Sequence, residues 1–203
     1  MGKIVLVEIN FPQVNKGLLL ARLDPQSHAK ATRYLREEDQ IRSAVASILI
    51  RNEVGQGEIH LGSRGKPYID GKSFFNVSHS GNWVGIYVDN EEIGLDIECI
   101  SRCDLSIAKA AFTPEETALI SNQKDFALAW TRKEAVGKCL GRGIEDPVHI
   151  GLSMLEKNRC EYQGEKYYLQ QWVSGDYAFC VAKKENNAFP ESTILHVGDL
   201  LKN

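Results

Sequence analysis

The sequence contains no apolar run long enough to span a bilayer, and its first residues lack the longer apolar core and cleavage site of a signal peptide. It also lacks an excess of basic residues, because 24 Lys and Arg stand against 27 Asp and Glu, for a net charge of −3. Nucleic-acid binding usually shows as a strong basic excess. We therefore expect a cytoplasmic protein that binds neither membranes nor nucleic acids.

Several common site motifs are missing as well. No Walker A or GxGxxG sequence occurs, which argues against P-loop and Rossmann nucleotide sites, and no GxSxG elbow supports a serine hydrolase. The 5 cysteines are odd in number and form no CxxC pair. A structural zinc site or a disulfide framework is therefore not expected.

The first half of the chain mixes strand and helix patterns. Its length of 203 residues suits one large domain or two small ones. β-Branched residues predict a strand at 3–9, and apolar positions at helical spacing predict one helix from Ser27 to about Val54. A short strand is predicted at 58–62. Turn residues then separate three short strands, typical of an antiparallel meander, at 74–80, 82–89 and 91–98.

The second half returns to helices and then to strands. Thr113 to Glu116 reads as a helix start with Thr as N-cap and Glu three residues later, and residues 125–140 predict a longer helix. Three further strands are predicted, at 148–155, 166–173 and 176–183. This order indicates an α+β fold of two similar halves, residues 1–100 and 101–203, each with a small antiparallel sheet packed by helices.

Asp96 and Glu98 stand two positions apart in an apolar stretch, so in a strand their carboxylates point the same way. They could belong to the solvated face of a half-exposed strand. Glu134 and Lys138 share a helix face and could form an ordinary surface ion pair. Alternatively, three carboxylates without a Cys or His cluster suit a hard cation such as Mg²⁺, with Lys138 facing a phosphate.

Two other stretches could contact an anion. His79 lies between serines in FNVSHSG and could donate to a phosphate, or it could simply be satisfied by local hydrogen bonds at a strand end. Residues 64–68, RGKPY, offer cationic side chains and turn backbone that could cradle a phosphate. Such loops are more often plain turns.

Taken together, GKPY, FNVSHSG, IGLDIE and WTRKEAVGKCLGRG resemble, in that order and spacing, the 4′-phosphopantetheinyl transferases of the surfactin-synthetase-activator type. The family signatures are a G-[VI]-D-x-E strand and a W-x-x-K-E-[SA]-x-x-K helix. They match residues 94–98, with Leu95 at the variable position, and residues 130–138. The resemblance implies a single-chain, pseudo-dimeric α+β fold.

The resemblance also implies the reaction. Such enzymes transfer the phosphopantetheine arm of coenzyme A to a serine of an acyl or peptidyl carrier protein and release 3′,5′-ADP. Asp96, Glu98 and Glu134 would bind Mg²⁺, and Lys138 would neutralise the pyrophosphate. Glu134, or a water that the metal activates, would be the base for the carrier serine, and Lys133 would be a phosphate or structural contact. Asp96, Glu134 and Lys138 are thus the predicted catalytic residues.

For coenzyme A, the resemblance implies contacts along the first half of the chain and at the signature helix. The 3′-phosphate would lie against Lys30, Arg42, Ser43 and His79. The loop that covers the adenine would comprise Arg64, Gly65, Lys66 and Pro67. The remaining predicted contacts are Ser78, Lys133 and Lys138.

The partner is expected to be an apo carrier protein, and the enzyme is expected to be a monomer. We place the docking helix of the carrier at residues 112–122, with Phe112 and Leu119 as apolar contacts, although both could equally pack in a core. Two other functions use the same residues. A magnesium-dependent phosphodiesterase would transfer to water, and a non-catalytic module would only bind coenzyme A or a carrier.

Overall fold

A computed structural model describes residues 2–63, 65–141 and 158–202. The described residues form ten strands: β1 (Lys3–Glu8), β2 (His60–Leu61), β3 (Pro67–Tyr68), β4 (Phe74–Ser80), β5 (Trp83–Asp89), β6 (Ile93–Cys99), β7 (Arg159–Tyr162), β8 (Glu165–Ser174), β9 (Tyr177–Lys183) and β10 (Ser192–His196). They also form seven helices: α1 (Lys16–Leu20), α2 (Pro25–Thr32), α3 (Glu37–Glu53), α4 (Ala108–Ala111), α5 (Pro114–Thr117), α6 (Gln123–Cys139) and α7 (Val197–Leu200). The predicted α+β fold is confirmed.

The strands build two four-stranded sheets and one short hairpin. The first sheet has the order β10-β1-β5-β4, and the second has the order β6-β9-β8-β7. All neighbours are antiparallel except β10, which lies parallel to β1 with Ile4 opposite Ser192. The hairpin pairs β2 with β3 across the 62–66 loop.

The two sheets and the two long helices, α3 and α6, are stacked in four layers, because side chains alternate between the two faces of each strand. In β1, Val5 and Val7 pack toward α3, whereas Ile4 and Leu6 pack against the second sheet. The far side of the second sheet packs on α6. The order is therefore α3, first sheet, second sheet, α6. No helix in the described ranges is long and apolar enough to cross a membrane.

The strand β6 is where the sequence prediction of a meander is wrong. It does not pair with β5 but leaves the first sheet and pairs with β9. The reason is that β6 is buried on both faces, which places it between layers. Leu95 and Ile97 face the first sheet, where Gly85 leaves room for them, while Gly94 and Asp96 face α6.

The edge of β6 that faces the first sheet is satisfied by side chains instead of a backbone ladder. Three alternate residues of β4 accept N–H groups from three alternate residues of β6: Asn76 from Leu95 at 2.8 Å, Ser78 from Ile97 at 3.2 Å and Ser80 from Cys99 at 3.0 Å. We call this set the side-chain ladder. It joins the two sheets and sets the register between β4 and β6.

A second correction concerns the helix predicted from Ser27 to about Val54, which is two helices. The helix α2 ends at Thr32, and α3 begins at Glu37 after a break at residues 33–36. Three acidic residues, Glu37, Glu38 and Asp39, occupy the first turn of α3, where the helix dipole favours negative charge. They favour a new helix start, which apolar spacing alone does not reveal.

Most other predicted elements are confirmed within about two residues. The strands predicted at 3–9, 74–80, 82–89, 91–98, 166–173 and 176–183 are present, the long helix is α6, and Thr113 and Glu116 form the capping box that starts α5. The strand predicted at 58–62 shortens to two residues, and β7 and β10 were not predicted. The strand predicted at 148–155 lies outside the described residues. The division at residue 100 and the pseudo-dimer stay predictions.

We expect Gly94→Ala to destabilise the fold strongly, because α6 lies directly on this position. An added Cβ would lie 1.9 Å from the carbonyl oxygen of Ala135 and 2.7 Å from the amide nitrogen of Cys139. Overpacking against backbone cannot relax by a rotamer change, so we expect a loss of about 3 kcal/mol or more in urea unfolding.

The matched control is Gly198→Ala, since nothing lies within 4 Å of a Cβ added there. It should change the free energy of unfolding by no more than about 0.5–1 kcal/mol. Equal stability of the two variants would contradict the close approach of α6 to β6.

Candidate active site

Four predicted residues line one cavity between β4, β6 and α6. Asp96 and Glu98 project from β6, and Glu134 and Lys138 project from α6 one turn apart. The cavity has a volume of about 290 Å³, and Ser78 and His79 of β4 complete its wall. The packing of α6 on Gly94 is what brings the helix residues to the strand residues.

Lys138 and Asp96 form an ion pair at the base of this cavity. Lys138 Nζ lies 2.6 Å from Asp96 Oδ1 and 3.1 Å from the hydroxyl of Ser78, which itself donates to Asp96 Oδ1 at 3.1 Å. Asp96 is only 3% exposed, and its second oxygen, Oδ2, is buried with no hydrogen-bond partner among the described residues. One half of this carboxylate is therefore satisfied and the other half is not.

The other two carboxylates repel Asp96. Burial, followed by the negative charge of Asp96, raises the pKa of both Glu98 and Glu134 to about 7. Burial also raises the pKa of Asp96, although Lys138 and the hydroxyl of Ser78 oppose that shift. Ionisation of all three carboxylates in this cavity is therefore costly.

The donor chemistry of the cluster fits a magnesium ion. Carboxylate oxygens are the ligands that this hard cation prefers, and a buried carboxylate oxygen without a partner is rare in folded proteins. Among the described residues, no group of three His, Cys, Asp or Glu side chains is already arranged to hold an ion. In the structure, Asp96 is instead paired with the ammonium of Lys138.

His79 and Arg42 lie next to this cavity. The imidazole is on the cavity wall, and partial loss of hydration there, together with the cations Arg42 and Lys138, lowers the pKa of His79. Arg42 donates to the carbonyl of Gly81 at 2.7 Å and to Asp39 Oδ1 at 2.6 Å. Its guanidinium has further N–H donors left for an anion.

Two other predicted contacts of the 3′-phosphate differ in their surroundings. Ser43 follows Arg42 on α3 and is 7% exposed, and within residues 2–63, 65–141 and 158–202 its buried hydroxyl oxygen has no hydrogen-bond partner. Lys30 is exposed on α2 and does not line the acidic cavity. The structure thus brings Arg42 and His79 close to each other, with Ser43 adjacent in sequence, but leaves Lys30 at the surface.

The predicted adenine loop lines a second cavity, of about 390 Å³, with Lys66 and Pro67 in its wall. The ammonium of Lys66 is not directed at an open phosphate site. It donates to the carbonyls of Ile93 at 3.0 Å and Cys139 at 3.4 Å, and burial lowers its pKa. Gly65 has φ +83, a left-handed conformation that favours glycine. Arg64 lies outside the described residues.

Asn76 and Ser80 take part in the site's architecture although the sequence analysis did not single them out. Both belong to the side-chain ladder, and the hydroxyl of Ser80 also donates to Glu98 at 3.3 Å. The signal was present in FNVSHS, where Asn, Ser and Ser alternate on one face of a strand. Polar residues at that period inside an otherwise buried strand indicate a polar neighbour.

Comparisons with known proteins agree with this arrangement. The family model of the 4′-phosphopantetheinyl transferase superfamily matches residues 92–185, which include β6, α6 and β9. The 4′-phosphopantetheinyl transferase HetI of a Nostoc species is 30% identical over 174 residues, covering 74% of this chain and 73% of that protein. The chain belongs to the 4′-phosphopantetheinyl transferase superfamily.

Two further relatives match over a shorter region. The 4′-phosphopantetheinyl transferase gsp of Aneurinibacillus migulanus is 32% identical over 145 residues, 64% of this chain and 61% of that protein. The 4′-phosphopantetheinyl transferase Sfp of Bacillus subtilis is 31% identical over 142 residues, 62% of this chain and 63% of that protein. The matches therefore span less than two thirds of these two relatives.

Lys133 of the superfamily's signature helix does not reach the acidic cavity. The side chain is fully buried, and its ammonium forms an ion pair with Glu116 at 2.6 Å. The same ammonium donates to the carbonyl of Ala111 at 3.2 Å and lies 4.7 Å from the centre of the Phe112 ring. The phosphate contact predicted for Lys133 does not match this position. Its structural role, the other prediction, does, because the ion pair ties α6 to the start of α5.

Phe112 is likewise a core residue and not the docking contact that was predicted. It is 2% exposed and packs edge-on against Phe126 and Trp130 of α6. Leu119, the other predicted contact, is 52% exposed. An amphipathic helix pattern shows which residues share a face but not whether that face meets the core or solvent.

In metal-free buffer, we expect Glu98→Gln to raise the melting temperature at pH 8. The raised pKa means that ionised Glu98 destabilises the folded state, so its penalty grows as pH rises from about 4.5 to about 7 and is complete above that range. The amide removes the charge and can still accept from Ser80. A gain of 2 °C or more, of the size that about 1 kcal/mol gives in such a chain, should vanish near pH 4.5.

Glu161→Gln provides the control, since Glu161 is an exposed carboxylate of the same sheet. It should leave the melting temperature unchanged at both pH values. A Glu98→Gln variant that is less stable than the wild type at pH 8 would show that the acidic cluster is not under repulsion.

We expect Lys133→Met to lower the free energy of unfolding by about 3–5 kcal/mol, because it removes a buried ammonium that is paired with the buried carboxylate of Glu116. The double variant with Glu116→Gln should recover part of the loss. Urea unfolding measures both, and Lys124→Met, an exposed position of α6, is the control. Wild-type stability of Lys133→Met combined with weaker coenzyme A binding would restore the phosphate role.

Proposed function

We propose that this chain transfers the 4′-phosphopantetheine arm of coenzyme A to a serine of an acyl or peptidyl carrier protein and releases 3′,5′-ADP. The observation that carries the proposal is the cavity in which Asp96, Glu98 and Glu134 lie beside Lys138. Three carboxylates next to a lysine suit a divalent cation and a phosphate together. The names of the relatives support the same reaction.

We infer that Asp96, Glu98 and Glu134 would hold Mg²⁺. The unpartnered Asp96 Oδ2 and the mutual repulsion of the three carboxylates support this assignment, since a cation would relieve both. When bound, the ion would neutralise charge on the pyrophosphate of coenzyme A. Asp96 would then exchange its ion pair with Lys138 for the cation, which would leave the ammonium of Lys138 to contact the bound substrate.

Lys138 and Glu134 would have different roles in the transfer. The side chain of Lys138 is 25% exposed, so its ammonium can turn toward a phosphate without unpacking the helix. A bound cation would lower the pKa that Glu134 has in this cavity, so Glu134 would orient the carrier serine or a water that accepts its proton, and would not itself be the base. Positioning and charge neutralisation carry most of the catalysis in such transfers.

Coenzyme A would lie along β4. The adenine cavity is lined by Phe74 and Phe75 at the start of this strand, and the acidic cavity by residues 77–79 toward its end. The 3′-phosphate would meet Arg42, His79 and the unpartnered hydroxyl of Ser43. Lys30 is exposed on the surface of α2. It would attract the phosphate at long range, because a lysine ammonium on its flexible side chain acts as a point charge.

The carrier protein would dock on the segment that connects β6 to α6 along the chain, residues 100–122. Three apolar residues of this segment are exposed: Leu105 at 41%, Ile107 at 43% and Leu119 at 52%. Lys109 adds a positive charge beside them, which suits the acidic surface typical of carriers. This surface replaces the predicted pair of Phe112 and Leu119. The cytoplasmic location and monomeric state stay predictions.

Intact-mass spectrometry of an apo carrier protein tests the function. After incubation with this chain, coenzyme A and Mg²⁺, we expect the carrier to gain one phosphopantetheinyl group. The gain should fall at least about 100-fold in rate for Asp96→Ala and disappear with EDTA, because removal of one charge-stabilising group costs that much in comparable sites. Glu161→Ala, on the outer strand β7, should retain wild-type activity.

The other outcomes identify the alternatives. Cleaved coenzyme A with an unmodified carrier would indicate a phosphodiesterase. Coenzyme A that binds but stays intact with carriers from several pathways would indicate a binding module. Either result would overturn the proposed transferase.

A further inference from the structure

The turn between β4 and β5 is fixed by contacts from three separate elements. Gly81, at φ +52, accepts a hydrogen bond from Arg42 of α3 at 2.7 Å. The amide of Asn82 donates to the phenol oxygen of Tyr177 at 3.1 Å, and its carbonyl accepts from the amide of Ile9 at 2.7 Å. A two-residue turn held at its two carbonyls and one amide has little freedom to move.

Tyr177 is the contact that comes from the second sheet. A Cβ added at Gly81 would lie 2.4 Å from its phenol oxygen, so the hydroxyl sits directly on the turn. Its ring packs edge-on against Trp83 at 6.3 Å between centroids. The residue before it, Asp176, is tied to the chain after β6, because its backbone carbonyl accepts from the amide of Ile100 at 2.8 Å. The phenol is therefore held on a rigid support.

The position of this turn determines how His79 is presented. His79 lies two residues before Gly81 on β4, on the wall of the acidic cavity. Arg42 bonds the same turn from the opposite side, and its charge contributes to the lowered pKa of His79, which places the two cationic groups near each other. Arg42 and Tyr177 thus clamp the turn between α3 and β9.

We propose that Tyr177 is a positioning residue for recognition of the 3′-phosphate: through the Gly81–Asn82 turn, it holds His79 and Arg42 in the arrangement that receives one phosphate. The inference rests on the proposed function, since it deepens the assignment of that phosphate to Arg42 and His79. Tyr177 itself does not line the acidic cavity. Its effect should therefore be confined to ligands that carry a 3′-phosphate.

Isothermal titration calorimetry with two nucleotides in metal-free buffer tests this prediction. Adenosine 3′,5′-bisphosphate carries the 3′-phosphate, and adenosine 5′-monophosphate lacks it. We expect Tyr177→Phe, which keeps the ring packing but loses the hydroxyl, to weaken the bisphosphate roughly 2- to 10-fold, as the loss of one hydrogen bond does. The monophosphate should bind as it does to the wild type.

Tyr167→Phe is the matched control. Tyr167 lies on β8 of the same sheet, and its buried hydroxyl has no hydrogen-bond partner within the described part of the chain. Removal of that hydroxyl should leave both nucleotides unaffected. A double-mutant cycle tests whether Tyr177 acts through His79. In a His79→Ala background, Tyr177→Phe should weaken binding of the bisphosphate less than about 2-fold, because the effects of coupled residues are not additive.

Hydrogen exchange gives a readout that does not depend on a ligand. The amide of Asn82 should exchange faster in Tyr177→Phe than in the wild type, whereas amides within β9 should keep their rates. This result would show that the hydroxyl orders the turn and not the sheet.

The outcomes separate this inference from the proposed function. A wild type that binds the bisphosphate, with Tyr177→Phe unchanged or with both nucleotides weakened equally, overturns the positioning role alone. A wild type that does not discriminate the bisphosphate from the monophosphate overturns the assignment of the 3′-phosphate to Arg42 and His79 and, with it, the positioning role, whereas the transfer reaction is decided separately by the mass of the carrier protein. Additive effects of His79→Ala and Tyr177→Phe would show that Tyr177 does not act through His79.

Discussion

The structure depends on a joint between two sheets that is made by side chains. Because β6 pairs with β9, its other edge would have unpaired amides facing the first sheet, and buried amides without partners are costly. Asn76, Ser78 and Ser80 supply the missing acceptors. The joint tolerates few substitutions, since each position needs a short polar side chain with an oxygen at the right distance.

The same joint forms the floor of the candidate site. The hydroxyl of Ser78 accepts from the amide of Ile97 and from Lys138, and donates to Asp96, so one atom serves both the fold and the cavity. Burial and the charge of Asp96 make ionisation of Glu98 and Glu134 costly, while the ladder ties β6 to β4 through three hydrogen bonds. The fold therefore holds the three carboxylates together despite this cost.

Local patterns predicted what lies within a single element. The alternation in β6, the i, i+4 pair on α6 and the capping box at Thr113 could all be read from the sequence, and signature motifs then indicated that strand and helix share a site. What could not be read is which surfaces meet. The transfer of β6 to the second sheet, the burial of Phe112 and the inward ammonium of Lys133 all depend on tertiary packing, on which periodicity carries no information.

The parallel pairing of β10 with β1 has a consequence for how the chain is made. Ile4 stands opposite Ser192, so the edge strand that completes the first sheet is synthesised among the last residues of these 203. Until then, β1 has an exposed backbone edge, which is a template for wrong pairing. Such long-range pairings are slow to form, and the sheet that contributes β4 to the acidic cavity would be complete only after synthesis has passed β10. A ribosome-bound intermediate would hold the acidic signature strand long before the sheet beside it is complete.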